Sequence, residues 1–178
     1  IRKHMDGSEE IDFIEGIGAI NFLSLDDIAA SKEGEALDPD SMIQIEFKRS
    51  KPIFPAFSQV PQDPFLKRIH KSQKKWIVLT DRKDHPHLVM DADGFLRSAL
   101  IEETKTDPLD YCHVPYVVEH GNIPLGDVLA QFPDDLESDQ EITLKRDLVL
   151  VWGDKKRIIT GSDILERLLK GINQQPKG

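Results

Sequence analysis

One succession of segments occurs twice in this chain: a fully apolar run, a polar turn, a short apolar run, and a helix with one apolar face. The first copy is Trp76-Ile77-Val78-Leu79, a turn from Asp81 to Pro86, Leu88-Val89-Met90, and a helix after Asp93. The second is Leu148-Val149-Leu150-Val151-Trp152, the turn Gly153-Asp154-Lys155-Lys156, Ile158-Ile159, and a helix that carries the chain to Ile172. Continuous rather than alternating apolar residues are what a strand buried on both faces requires. Two such strands, each followed by an amphipathic helix, predict an α/β chain built by duplication.

The duplication extends upstream. Ile53-Phe54 reads as a strand, followed by a Pro-rich loop and a helix opened by Asp63-Pro64, Asp as N-cap and Pro at the first helical position. Phe65, Leu66 and Ile69 give that helix its apolar face. In the second copy Pro115-Tyr116-Val117-Val118 is the strand, and Leu125, Val128, Leu129 and Phe132 recur at helical spacing after Pro124. The expected fold is α/β (α+β): two pseudo-symmetric β-α-β-β-α units, each a small sheet with two helices. They are expected at residues 51–101 and 112–172, after an irregular N-terminal arm or linker, residues 1–50. An offset of 70 residues places Asp93 opposite Asp163 and Met90 opposite Thr160. The acidic stretch Pro133 to Glu141 is an insertion in the second copy only.

The last helix is the clearest. Ile164, Leu165, Leu168, Leu169 and Ile172 share one face, Glu166 and Lys170 form an ordered i,i+4 pair on the other, and Gly171 suits the C-terminal cap. Within the arm, Met42, Ile43, Ile45 and Phe47 form a short strand before the basic turn Lys48-Arg49-Ser50-Lys51, and Ala29 to Asp40 reads as an acidic linker.

Charge and composition exclude several classes. The net charge is −9, and residues 1–50 hold 12 acidic against 5 basic side chains. Such a chain has no electrostatic footprint for phosphate backbones, which argues against nucleic-acid binding. No apolar run approaches the roughly 18 residues of a membrane span. The start at Ile1, without a signal-peptide pattern, suggests a piece cut from a longer protein. The lone Cys112 precludes an internal disulfide and fits a reducing compartment. Gly16 and Gly18 are not a dinucleotide fingerprint, because Asn21 stands where the third glycine is needed, and there is no P-loop. His85-Pro86-His87, Cys112 and His113 match no zinc spacing and read as surface or turn residues. No catalytic constellation emerges.

The segment Arg157 to Asp163 resembles the closing motif of the CBS (cystathionine-β-synthase-type) domain. There a glycine, two apolar residues, Thr or Ser, two variable residues and Asp follow one another. Ile158, Ile159, Thr160 and Asp163 fit, while Arg157 stands in the glycine's place. With the duplicated order, residues 50–172 resemble a tandem CBS pair, or Bateman module. The resemblance implies a non-enzymatic regulatory module that senses an adenosine ligand (AMP, ADP or ATP, with or without Mg²⁺) and signals to an attached or partner protein. It also implies a homodimer. The motif carboxylate, Asp163 and by duplication Asp93, would accept ribose hydroxyls, and Thr160 would bond phosphate. An ionised carboxylate is acceptor-only and matches two adjacent hydroxyl donors. The start of a helix favours an anion, and Lys155, Lys156 and Arg157 add positive charge. The same residues suit a second reading, in which Asp163 stabilises the first helical turn and the chain is a ligand-free interaction or dimerisation module. Such a module fits the cytosolic part of a membrane-tethered ion transporter of the CorC/cyclin-M type, placing the chain in the cytoplasm.

Overall fold

The structure, a computed structural model, describes residues 28–130 and 144–173. The acidic insertion at 133–141 and the first 27 residues lie outside it. In chain order the elements are β1 (Glu35–Ala36), β2 (Met42–Gln44), β3 (Glu46–Lys48), β4 (Lys51–Ile53), α1 (Pro64–His70), β5 (Trp76–Thr80), β6 (Pro86–Asp91) and α2 (Ala92–Ile101). There follow β7 (Cys112–His113), β8 (Tyr116–Val118), α3 (Leu125–Leu129), β9 (Leu148–Trp152), β10 (Lys156–Thr160) and α4 (Gly161–Asn173).

The duplication is real at the level of sheet topology. One four-stranded sheet runs β2-β5-β6-β7 and the other β8-β9-β10-β1. In each, the first strand pairs parallel with the second (β2 with β5, β8 with β9), and the second pairs antiparallel with the third across a short turn. Each first strand leads to a helix, α1 or α3, and each third strand runs into α2 or α4. The runs Trp76–Leu79 and Leu148–Trp152 are the central strands, buried on both faces as their composition requires.

Two expectations about the arm are corrected. The strand that opens the first sheet is Met42–Gln44; Ile53 belongs instead to β4, which closes a separate hairpin with β3. Burial explains the choice. Ile43 and Ile45 are 6% exposed and join the first helix-side core, whereas Ile53 is 43% exposed. The stretch read as a linker is also an integral part of the second sheet. Within it, β1 pairs with β10, Ala30 is fully buried, and its N–H donates to Ile123 O at 2.9 Å. Ser31 N–H donates to Gly121 O (2.8 Å) and Leu125 N–H to Ile28 O (2.8 Å). Gly34 makes the fit possible: its φ is +71°, and a Cβ there would stand 2.1 Å from the Ile158 carbonyl oxygen.

Each half has a helix-side core, the first built on Phe65, Ile69, Ile77, Met90 and Phe95, the second on Leu125, Val128, Val149, Val151 and Ile159. A third core lies between the two sheets, where Val78 and Val89 meet Leu148, Leu150 and Ile158. Burying one such side chain contributes roughly 1.5–3 kcal/mol. Separation of the halves would therefore forfeit much of a typical domain's net stability.

Candidate ligand site at the second strand–helix junction

At the end of β10 the sequence Thr160-Gly161-Ser162-Asp163 places a hydroxyl and a carboxylate three residues apart across a helix start. The Asp163 carboxylate oxygen Oδ2 accepts from Thr160 N–H (2.8 Å) and from Thr160 Oγ1 (2.9 Å), and Asp163 N–H donates back to Thr160 Oγ1 (3.3 Å). This is a capping box: each residue satisfies an orphan group of the other. Asp163 is thereby oriented, with Oδ2 occupied; among the described residues Oδ1 bonds to nothing. A Cβ on Gly161 would meet no atom within 4 Å, so the helix start faces open space.

The basic run expected around this site is largely committed elsewhere. Arg157 turns to the arm, where Nε donates to Glu33 O (2.8 Å) and a guanidinium NH₂ to Gly34 O (2.6 Å). Lys156 lies 4.7 Å above the Trp152 ring and 4.0 Å from an Asp84 oxygen. Lys155 alone of the three is solvent-exposed. Arg167 of α4 pairs with Glu33 at 2.8 Å, so both the strand and the helix that form the junction are tied to the arm.

The first junction is built differently, and the expected equivalence of Asp93 with Asp163 fails by one residue. Trp76 pairs with Asp91 and Val78 with Val89; in the second sheet Leu148 pairs with Thr160 and Leu150 with Ile158. Val78, Val89, Leu150 and Ile158 all face the shared core. The ladder therefore sets Asp91, not Met90, at the place of Thr160, and Asp93 at that of Ser162. Alternation along a strand makes the distinction absolute, because a slip of one residue turns every side chain to the opposite face. Met90 is fully buried in the helix-side core, where a ligand cannot reach it. Asp91 caps α2 by accepting from Gly94 N–H at 3.1 Å, as Thr160 Oγ1 accepts from Asp163. Asp93 is exposed in the first turn. An Asp-x-x-Gly cap was the available signal for this register.

Beside Trp76 the arm fills the space between the sheets. Glu35, Leu37, Ser41, Lys74 and Ile158 enclose a cavity of only about 40 Å³, far below the several hundred Å³ of a nucleotide pocket. Lys74 and Glu35 form an ion pair there, which raises the Lys74 pKa above its ordinary value.

The remaining candidates have local partners. His87 Nε2 lies 2.9 Å and His85 Nδ1 3.4 Å from Asp81 Oδ2; the His87 bond above all, then the His85 backbone N–H, holds the Asp81 carboxyl well below the usual range. His113 Nδ1 lies 2.6 Å from Asp147. The buried Cys112 thiol donates to Pro108 O (3.4 Å), and burial, reinforced by Asp107 and Asp110, pushes its pKa up to about 12. Among the described residues no group of three His, Cys, Asp or Glu is arranged to hold a metal ion. No helix among them is long and apolar enough to cross a membrane.

No family model matches the chain, and neither does any curated protein sequence. In overall shape it is similar to tandem CBS-domain pairs. A CBS-domain pair with bound AMP from Klebsiella pneumoniae matches with a TM-score of 0.46 and 19% identity, over 80% of this chain and 98% of that one. The CBS domain of a bacterial CNNM/CorC family Mg²⁺ transporter in complex with ATP matches with a TM-score of 0.49 and 15% identity, over 87% of this chain and 96% of that one.

Proposed function

We propose that this chain is a regulatory module of the CBS-pair type that binds one adenosine ligand at the Thr160–Asp163 junction and passes its occupancy to an attached or partner protein. In this reading the first unit begins at β2 and the second at β8. The observation that carries it is the capping box itself. It fixes a carboxylate beside an open helix start, with one oxygen held by Thr160 and the other left to accept from vicinal ribose hydroxyls. The exposed amides at the start of α4 supply donors for a phosphate. The first junction offers carboxylates without a hydroxyl, and the arm narrows its cleft. One ligand per chain is therefore expected.

The test is calorimetry of the chain with AMP, ADP and ATP, with and without Mg²⁺. Binding at a stoichiometry of one, lost in Asp163→Ala and kept in Asp93→Ala, supports the reading. A bound ligand at 100 times its Kd adds roughly 2.7 kcal/mol to stability. No heat and no thermal shift with any of the three would sink it.

A second reading, a ligand-free dimerisation module, is favoured by one observation. Leu165 and Leu169 on α4 are 57% and 52% exposed, and Leu100 and Ile101 on α2 are 41% and 77% exposed. Facing helices of a second copy would cover them. Light scattering at micromolar concentration, on the parent and on Leu165→Glu/Leu169→Glu, decides whether self-association exists and runs through α4.

A further inference from the structure

Each sheet takes its fourth strand from the segment that leads into the other unit. β7, just ahead of β8, pairs with β6 of the first sheet, and β1, just ahead of β2, pairs with β10 of the second. The two segments reach the neighbouring helix by different means. Ahead of β7, the turn Pro108–Tyr111 packs on α2 through an apolar contact, the Tyr111 ring lying 6.0 Å from that of Phe95. Ahead of β1, the arm reaches α4 through a charge. Glu33 Oε2 accepts from Arg167 Nε (3.0 Å) and lies 2.8 Å from a second guanidinium nitrogen, and the Glu33 side chain is only 11% exposed.

This ion pair sits against the Thr160–Asp163 junction. Arg167 follows Asp163 by four residues, one turn along the same face of α4. Arg157 precedes Thr160 by three residues on β10, and its guanidinium donates to the Glu33 and Gly34 carbonyls. Leu37 N–H donates to Lys156 O at 3.0 Å. β10 and the start of α4 are therefore joined twice: directly, by the capping box, and indirectly, by the arm through Arg157 and Arg167. A change at either connection is felt at the other. Taking one partner from a buried ion pair leaves a desolvated charge, so the arm cannot release Arg167 without penalty. Further along, the arm is held more loosely, since Glu35 and Lys74 pair with both side chains exposed.

We propose that Glu33 is a positioning residue for the Thr160–Asp163 junction: through Arg167 it makes docking of residues 28–37 and order at the junction one coupled equilibrium. Glu33 touches no ligand itself, and only the ligand's part in this rests on the adenosine-site reading. A ligand that holds the junction in order also holds the arm. By linkage, whatever releases the arm weakens the ligand by the same factor. Occupancy is then carried away from the site by the arm as well as by α4.

The experiment combines amide exchange and calorimetry on the full chain. Without ligand, Asp163→Ala should speed exchange at Ser31 and Leu37, whose N–H groups bond to Gly121 O and Lys156 O. The increase should exceed that in Asp91→Ala, which removes a single cap from α2, by about five-fold or more. With ATP as the probe, Glu33→Gln should weaken binding about five-fold or more, and Arg167→Lys, which keeps the charge but not both bonds, by an intermediate factor. Lys74→Met breaks the arm's exposed ion pair and should change the Kd by less than about two-fold. A Glu33 that merely stabilises the fold would lower the melting temperature and leave the Kd unchanged; that result overturns the proposal while the ligand reading stands. Should Glu33→Gln fail to fold, Arg167→Lys supplies the same comparison. No ATP binding by the parent defeats the ligand reading alone. The exchange comparison then decides: a larger increase in Asp163→Ala supports the coupling, and equal increases in Asp163→Ala and Asp91→Ala overturn it.

Discussion

The two halves share a strand order and differ at two kinds of place, loops and caps. Between its first strand and first helix, the first half carries a hairpin and a grooved wall where the second has a short turn. At the junction of third strand and second helix, the second half has a hydroxyl–carboxylate box where the first has a single Asp cap. The frame is constrained by three cores, one of them common to both halves, so change has accumulated where packing is least demanding.

The largest expected effect tests whether the halves are one cooperative unit. Leu150 is fully buried in the core between the sheets. Leu150→Ala should cost about 2–5 kcal/mol, and both halves should still melt in one transition. Chemical denaturation followed at Trp76 and Trp152, each examined with the other replaced by Phe, checks this. Two separated transitions in the parent chain would mean that the halves are independent and that the shared core binds them weakly.

Next comes the arm. Gly34→Ala places a Cβ against the Ile158 carbonyl at a positive φ, and should cost about 1–3 kcal/mol. Gly161→Ala meets open space at a helix start and should be neutral or stabilise by about 0.4–1 kcal/mol. If the two substitutions had the same effect on urea unfolding, β1 would not be held on β10 as described.

How far these differences could be read in the sequence depended on whether the deciding interactions were local. The central strands and the helices showed in their apolar patterns, because Trp76–Leu79 and Leu148–Trp152 are buried on both faces. The arm did not: Ala30 and Ser31 are secured by main-chain bonds to residues about 90 positions away, and such bonds leave no composition signal. The strand at Met42 did show, but runs this short do not reveal by alternation whether it or Ile53-Phe54 opens the first sheet. The Thr160–Asp163 motif was legible, and its capping geometry follows from its spacing. Its supposed twin was misread because Asp91 and Asp93 are both near the helix start, and only the ladder shows which faces which way.

The capping pair gives a smaller effect. Thr160→Ala removes the hydroxyl from the box and should cost about 0.5–2 kcal/mol, and Asp163→Ala should cost a similar amount. Because the two act on each other, the double variant should cost less than the sum. Additive losses in thermal unfolding would show that the reciprocal bonds contribute little, and the carboxylate would then lack the fixed orientation on which the proposed ligand binding relies.

The smallest effect decides the register between the halves. If Asp93 were the counterpart of Asp163, its removal would disturb a cap, and Asp91→Ala would matter less. The ladder says the reverse. Asp91 accepts from Gly94 N–H at 3.1 Å, so Asp91→Ala should cost about 1 kcal/mol. Asp93 is exposed and contributes only its charge near the positive end of α2, so Asp93→Ala should stay within about 0.5 kcal/mol. That small term should also fade in 1 M salt, where the screening length is about 3 Å, while the Asp91 effect should persist because it is a hydrogen bond. A loss at Asp93 equal to or larger than that at Asp91, unaffected by salt, would restore the offset of 70 and with it a second carboxylate site in the first half.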